Sequence, residues 1–322
     1  MKAMVRYEYG LPDEVLAFQE IDKPMVNDDE VLVRVQAIGL HAGDWLTLRG
    51  IPYLMRMALG LFKPKSIGVG TDVAGYVEAV GKNVTRFQPG DEVFGWSKGA
   101  CAEYATTQED KLVRKPAGIT FEQAAAIPTS AAAALYGLRK TGQIAAGQKV
   151  LIIGASGGVG TFAVQIAKSF GAEVTGVCST RNLEMVRSIG ADHVSDYTQE
   201  DFTQSGEHYD LILDIAGNRP LSESRRALTP DGTLVLAGGK GGRWLYGLDR
   251  TIKAAMVSPF IRQNLRGYVS LPAHEDLVAL KELVESGKVT PVIDRTYSLS
   301  ETPAAMGYLG EGHTQGKVVI TM

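Results

Sequence analysis

Val150-Leu151-Ile152-Ile153 runs directly into Gly154-Ala155-Ser156-Gly157-Gly158-Val159-Gly160 and then into the helical stretch Thr161 to Phe170. A short β-branched run, a tight glycine turn and a helix in immediate succession have one well-understood use. The glycines let the backbone turn at the strand end and approach a pyrophosphate closely, and the following helix points its N-terminus at the phosphates. The spacing departs from a strict G-x-G-x-x-G, because Ala155 stands between Gly154 and Ser156 and three evenly spaced glycines fall at 154, 157 and 160. The setting between strand and helix restores the reading as a dinucleotide loop. Main-chain and small side-chain contacts are therefore expected from Ala155, Ser156, Gly157, Gly158 and Val159.

Working outward, the chain alternates strand and helix: KVLII, the helix after the loop, AEVTGV, the helix NLEMVRSIG, YDLILDIAG, a helix from about Pro220, and TLVLAGG. That alternation predicts a doubly wound parallel sheet covered on both faces. Ligands in such sheets lie beyond the carboxyl ends of the strands, which selects Ala216, Gly217, Gly238 and Gly239 as main-chain contacts. The end of the second strand reads Val177-Cys178-Ser179-Thr180-Arg181-Asn182, with no acid to accept from a ribose 2′-hydroxyl. Ser179, Thr180 and Arg181 instead offer hydroxyls and a guanidinium suited to a 2′-phosphate, so NADPH is favoured over NADH. Tyr197, after the third strand, is placed to pack on the adenine side.

The N-terminal part is different in kind. VLVRVQAIG, DVAGYVEAVG, the turn QPGD before EVFGW, and CAEYATT are strands of an irregular β domain, and the closing VTPVIDRTYSL and GKVVITM are strand-like again and are expected to return to it. The expected division is 1-122 completed by 290-322, with the dinucleotide domain over 123-289.

Composition limits the partners. Lys and Arg total 33 against 36 Asp and Glu, a formal charge of −3 without a long basic run, which argues against nucleic acid and for a small-molecule partner. Two cysteines, Cys101 and Cys178, provide no disulfide framework and fit a reducing, cytoplasmic setting. No signal peptide or membrane span is expected; Trp244 to Ile261, interrupted by Asp249, Arg250, Lys253 and Pro259, reads as a helical cover over a cleft.

Taken in order, GTDVAGYVEAVG (70-81), PGDEVFG, GASGGVG, CSTRN, SIGADHVSDY and GKVVITM resemble the zinc-independent, quinone oxidoreductase-like (zeta-crystallin-type) branch of the medium-chain dehydrogenase/reductase superfamily. The resemblance implies a GroES-like irregular β-barrel domain, a Rossmann domain, a cleft between them, and NADPH-dependent reduction of a quinone or of the activated double bond of an α,β-unsaturated carbonyl. It also implies a homodimer. An alcohol dehydrogenase of the same superfamily and a non-catalytic NADPH-binding redox-sensing module are the alternatives.

Zinc-dependent members carry a cysteine and a histidine as their first two ligands; here those positions hold His41, in Gly39-Leu40-His41-Ala42-Gly43-Asp44-Trp45, and Thr71, beside Asp72. Threonine is a poor zinc ligand and two cysteines cannot build a four-cysteine structural lobe, so no metal is expected. His41 and Tyr53 are the candidates for polarising the substrate carbonyl or supplying its proton, with Asp44 orienting the loop, although relatives usually have asparagine at position 41. Thr129 matches a position that reaches the nicotinamide side, and Lys317 is a candidate phosphate or ribose contact. The apolar pieces at 54-66 and 244-261 would suit a bulky apolar substrate, a subunit contact or core packing.

Overall fold

The computed structural model describes residues 1–239 and 242–322. The chain forms two compact units, Met1–Ala132 with Pro272–Met322, and Ala133–Leu271. The first unit begins with β1 (Lys2–Arg6), β2 (Leu16–Glu20), β3 (Glu30–Leu40), β4 (Asp72–Val80), β5 (Glu92–Trp96), β6 (Tyr104–Gln108) and β7 (Leu112–Arg114). The second unit holds β8 (Lys149–Ile153), β9 (Glu173–Cys178), β10 (His193–Asp196), β11 (Tyr209–Asp214), β12 (Leu228–Leu236) and β13 (Asn264–Gly267). The chain then returns to the first unit with β14 (Ile293–Ser298) and β15 (Lys317–Thr321).

In the second unit the strands run in the order β10-β9-β8-β11-β12-β13, with every pairing parallel. This is the doubly wound order in which β8 and β11 diverge at the switch point where dinucleotides bind. The expected Rossmann sheet is present. Its strands are apolar throughout, as sheets covered on both faces must be: Val150, Leu151 and Ile152, and Leu211, Ile212 and Leu213, are fully buried.

In the first unit β14-β15-β3-β4-β5-β7 form one sheet, with β6 also pairing to β3, and β1 and β2 form a separate hairpin. The irregular GroES-like β domain is also present. Its core cluster takes alternate residues of β3, Val31, Val33 and Val35 and then Ile38 and Leu40, together with Val73, Val93 and Leu112 of neighbouring strands, while Leu32 and Ala37 on the other face of β3 are buried as well. The last strand does return: β15 pairs antiparallel to β3, setting Val318 opposite Leu40 and Val319 opposite Gly39.

The compact units divide later than 122 and rejoin earlier than 290. Two local causes account for this. The helix Phe121–Ala125 packs on β3 and β4, helped by Gly39, where a Cβ would lie 2.1 Å from the Ala125 carbonyl oxygen. The helix His274–Glu285 packs on β7, and His274 Nδ1 lies 3.1 Å from the Asp110 carbonyl oxygen. Neither tie leaves a mark in the hydrophobic periodicity.

Among the described residues no helix is long and apolar enough to cross a membrane. Within 244-261 a helix spans Leu248–Val257, with Leu248, Ile252 and Met256 exposed. Within 54-66 lie a short turn of helix, Arg56–Leu59, and the exposed Met57, Leu61 and Phe62.

Candidate functional site

The dinucleotide edge of the second unit is built at the ends of β8 and β9. Gly154 takes φ +89°, the left-handed turn that glycine tolerates without strain. Gly157 caps the helix Gly158–Ser169, and no acidic residue occupies its first turn to oppose an incoming anion. A Cβ on Gly160 would stand 2.1 Å from the Gly154 carbonyl oxygen and 2.7 Å from the Ala155 carbonyl carbon, so the helix lies against the turn only because position 160 is glycine. Ala155 is fully buried and faces Gly176 of β9, which limits it to a main-chain contribution. Ser156, Gly158 and Val159 are half-buried.

Asn182 is the residue of this edge that sequence reasoning missed. It is buried, and its Nδ2 donates to Ser156 Oγ at 2.9 Å and to Ser179 Oγ at 3.2 Å, tying the glycine turn to the end of β9. Its Oδ1 is buried without a partner, and a ribose hydroxyl would supply the missing donor. The glycine turn, the free helix N-terminus and this orphaned acceptor fit a nicotinamide dinucleotide.

Thr180 and Arg181 are exposed, as is Tyr197. Although β9 ends without an acid, Asp196 arrives from the end of β10. It accepts from Thr180 Oγ1 at 2.5 Å and from Thr198, and the Thr180 hydroxyl foremost, together with the Thr198 contacts, keeps this carboxyl below its ordinary range. The hydroxyl proton of Thr180 is thus already committed. Of the expected trio, Arg181 brings the positive charge.

Beyond β11 and β12 the two glycine turns meet. A Cβ on Gly217 would lie 2.3 Å from Gly239 Cα, so backbone touches backbone there. Gly217 N donates to Asp214 Oδ1 at 2.8 Å, while Asp214 Oδ2 accepts from Arg250 at 2.7 Å. Asp214 and Arg250 are both buried and brace this turn from behind, a role that sequence gave no sign of. Ala216 is half-buried and Gly238 exposed beside them.

The first unit holds a buried polar cluster around His41. Leu40 ends β3, His41 caps the helix Ala42–Arg49, and Asp44 at its third position accepts from the His41 amide at 3.1 Å. Antiparallel pairing of β3 with β4 sets Gly39 opposite Asp72, which carries Thr71 to the imidazole. His41 Nε2 lies 2.7 Å from Thr71 Oγ1 and 3.3 Å from Asp44 Oδ2, and Thr71 Oγ1 lies 3.4 Å from Asp44 Oδ1. Gly43 clears the space for the ring, since a Cβ there would stand 2.8 Å from Nδ1.

Burial sets the charges. Desolvation lowers His41 to about 4, against the opposing pull of Asp72, so the imidazole is neutral at pH 7. Desolvation raises Asp44 to about 7, outweighing the His41 amide, Lys317, Thr71 and Arg6. With a neutral imidazole, the 3.3 Å approach of His41 Nε2 to Asp44 Oδ2 is not an ion pair at pH 7; the ring's hydrogen bond is to Thr71, and Asp44 accepts from the His41 amide.

Behind them, Asp72 is fully buried and accepts from Thr129 N at 3.1 Å and Thr129 Oγ1 at 2.5 Å. Trp96 Nε1 also donates to Thr129 Oγ1 at 3.1 Å, so the proton of this hydroxyl is committed from within and one of its two lone pairs filled. Lys317 is corrected from a phosphate or ribose contact to a structural cation. It is 1% exposed, and Nζ donates to the Leu40 carbonyl at 2.7 Å and to Ser130 Oγ at 3.0 Å, with Asp72 Oδ2 at 3.8 Å. The reason is the register of β15 on β3, which turns the side chain at 317 inward beside Leu40. Tyr53 opens a short helical turn, half-buried, with the Arg56 guanidinium 4.6 Å from its ring.

Zinc does not fit here. Thr71 offers a hydroxyl already 2.7 Å from the imidazole, both cysteines are buried, and no group of three His, Cys, Asp or Glu among the described residues is arranged to hold a metal.

Comparison with known proteins agrees with this architecture. Residues 27–136 match the model of the alcohol dehydrogenase GroES-like domain, and residues 189–320 that of a zinc-binding dehydrogenase. The chain is 31% identical to a chloroplast envelope quinone oxidoreductase homolog of Arabidopsis thaliana, covering 99% of this chain and 98% of the relative. It is 32% identical to an NADPH-dependent chloroplastic alkenal/one oxidoreductase of the same plant, covering 99% and 79%. The quinone oxidoreductase of Escherichia coli, solved in complex with NADPH, superimposes with a TM-score of 0.84 at 25% identity over all of both chains. With both domain models matched in order and relatives above 30% identity spanning its length, the chain belongs to the quinone oxidoreductase-like branch of the medium-chain dehydrogenase/reductase superfamily and is an NAD(P)H-dependent oxidoreductase.

Proposed function

We propose that this protein uses NADPH to reduce quinones or the activated double bond of α,β-unsaturated carbonyls, without zinc. The observation that carries this reading is the set His41, Thr71 and Asp44, hydrogen-bonded to one another where zinc-dependent relatives bring metal ligands. Without a Lewis acid to hold an alkoxide, oxidation of an unactivated alcohol loses its main electrostatic aid, whereas a quinone or enone is electrophilic already. The names of the two plant relatives, a quinone oxidoreductase homolog and an alkenal/one oxidoreductase, support the same substrate class.

Bound NADPH supplies a hydride. The chain's own residues bind, orient and protonate. Ser156, Gly157, Gly158 and Val159 hold the pyrophosphate, with Ala155 contributing main chain. The ribose hydroxyls are met by Asn182, with Ser179 and Thr180 beside it, and the adenine packs on Tyr197. Ala216, Gly217, Gly238 and Gly239 orient the nicotinamide half through main chain, and Thr129 shapes its surroundings while bonded to Asp72. His41, neutral at pH 7, donates a ring N–H to the substrate oxygen, and Tyr53 lines the approach. We also propose a homodimer and, from two buried unpaired cysteines, a reducing compartment such as the cytoplasm.

The test is NADPH consumption with a panel of quinones, enones, alkenals and simple ketones, each with and without a chelator. Chelator-independent turnover of the first three supports the reading; chelator-sensitive alcohol oxidation alone rejects it.

Preference for the phosphorylated dinucleotide rests on Arg181. A charge-assisted hydrogen bond contributes about 1.5–3 kcal/mol, so Arg181→Ala is expected to weaken NADPH binding about tenfold to hundredfold and to leave NADH nearly unchanged. Fluorescence titration with both dinucleotides checks this, and equal losses would reject the 2′-phosphate assignment.

A further inference from the structure

Asp44 is a carboxyl sealed inside the first unit, 3% exposed, yet hydrogen-bonded through a single hydroxyl to an imidazole that is 14% exposed. His41 Nε2 faces inward to Thr71 and Asp44, and no described residue hydrogen-bonds Nδ1. We propose that Asp44, Thr71 and His41 form a proton relay, in which the Asp44 carboxyl is the internal proton store and Nδ1 of His41 the delivery point. This rests on the reductase reading above.

The bookkeeping closes in both states. Loaded, the Asp44 O–H donates to Thr71 Oγ1, the Thr71 O–H donates to His41 Nε2, and Nδ1 carries the outer proton. When hydride addition leaves an enolate or a quinol oxyanion, the Nδ1–H bond breaks and a C–H or O–H bond forms on the substrate. Nε2 takes the Thr71 proton and Thr71 takes that of Asp44, leaving an Asp44 carboxylate that accepts from Thr71. Reloading from water runs the same path backwards after product leaves. No polar group is stranded at either end.

The surroundings poise this store. Asp44 is faced by His41 on its own helix, Arg6 of β1, Asp72 of β4, Cys101 after β5, and Lys317 of β15. Desolvation dominates and brings its titration to about 7, so the store is loaded below neutrality and empties as pH rises.

Two measurements test the relay. In cofactor-free protein, the ¹⁵N resonances of the His41 ring, assigned by comparison with His41→Asn, should shift as pH crosses about 7, and this shift should vanish in Asp44→Asn. Asn keeps an oxygen for the His41 amide, so the helix cap survives. In turnover, Asp44→Asn should lower the rate on the order of a hundredfold, the lower end for general-acid catalysis, and flatten its decline above pH 7. Thr71→Val should lose about tenfold, and Thr71→Ser should recover most of that loss. A His41 ring silent between pH 6 and 8, or an Asp44→Asn enzyme with the wild-type pH profile, would overturn the relay. If no acceptor is reduced by the wild type, the reductase reading fails and the resonance shift still decides whether the three residues exchange a proton.

Discussion

Lys317→Met is expected to destabilise the protein by about 3–5 kcal/mol, the cost of leaving one member of a buried ion pair behind. Lys317 is 1% exposed and Asp72 fully buried, and among the described residues no other cation is bonded to that carboxylate. Without the ammonium, Asp72 retains only the Thr129 amide and hydroxyl and must either stay charged in a low-dielectric interior or take up a proton. The Leu40 carbonyl and Ser130 hydroxyl lose their donor as well. For a unit of this size the loss corresponds to a fall in melting temperature of about 6–20 °C. Adding Asp72→Asn to Lys317→Met should recover part of it, because a neutral amide needs no counter-charge. Thermal melts of the two single variants and the double variant check this; a Lys317→Met melt within about 2 °C of wild type would contradict the structural role assigned to this lysine.

Gly160→Ala is expected to weaken dinucleotide binding on the order of a hundredfold, the scale on which an ångström of misplacement acts. The new Cβ would sit 2.1 Å from the Gly154 carbonyl oxygen and within 3 Å of Ala155 backbone. Nothing flexible is in the way to yield, so the helix must lift off the turn, and the turn and helix N-terminus that would hold the pyrophosphate separate. Gly157→Ala is the matched control: its φ of −81° suits any residue, and its Cβ would meet only the Gly154 oxygen, at 3.6 Å. It should cost far less affinity, unless the phosphate itself needs that space. Isothermal titration of both variants with NADPH separates the two cases; equal, small losses at both positions would contradict the packing argument for Gly160.

What the sequence disclosed and what it hid follow from distance along the chain. The strand, turn and helix from Lys149 to Ser169 are legible because their pattern is local, an apolar run, a glycine turn and a helical run in succession, although β8 itself pairs with β9 and β11. The short strands of the first domain are legible from their β-branched runs between turn signals. The polar cluster was legible only in pieces. His41 and Asp44 are three apart, but Thr71 reaches them through the β3 to β4 pairing and Lys317 through the pairing of β15 to β3. Lys317, five residues before Met322, reads as a candidate phosphate or ribose contact until that register places it in the interior. Asn182 reads as part of a polar turn, and its bridge between Ser156 and Ser179 exists only after β8 and β9 lie side by side. Asp196 likewise supplies, from the next strand, the acid absent from the end of β9.

The most direct test of the proposed chemistry follows the hydride itself. NADPH deuterated at C4 on the transferred face, supplied with an α,β-unsaturated ketone in ordinary water, should give a saturated ketone with deuterium on the β-carbon and hydrogen on the α-carbon. Deuterium on the carbonyl carbon of an allylic alcohol would contradict the account, because it would make the protein a carbonyl reductase and not a reductase of the activated double bond.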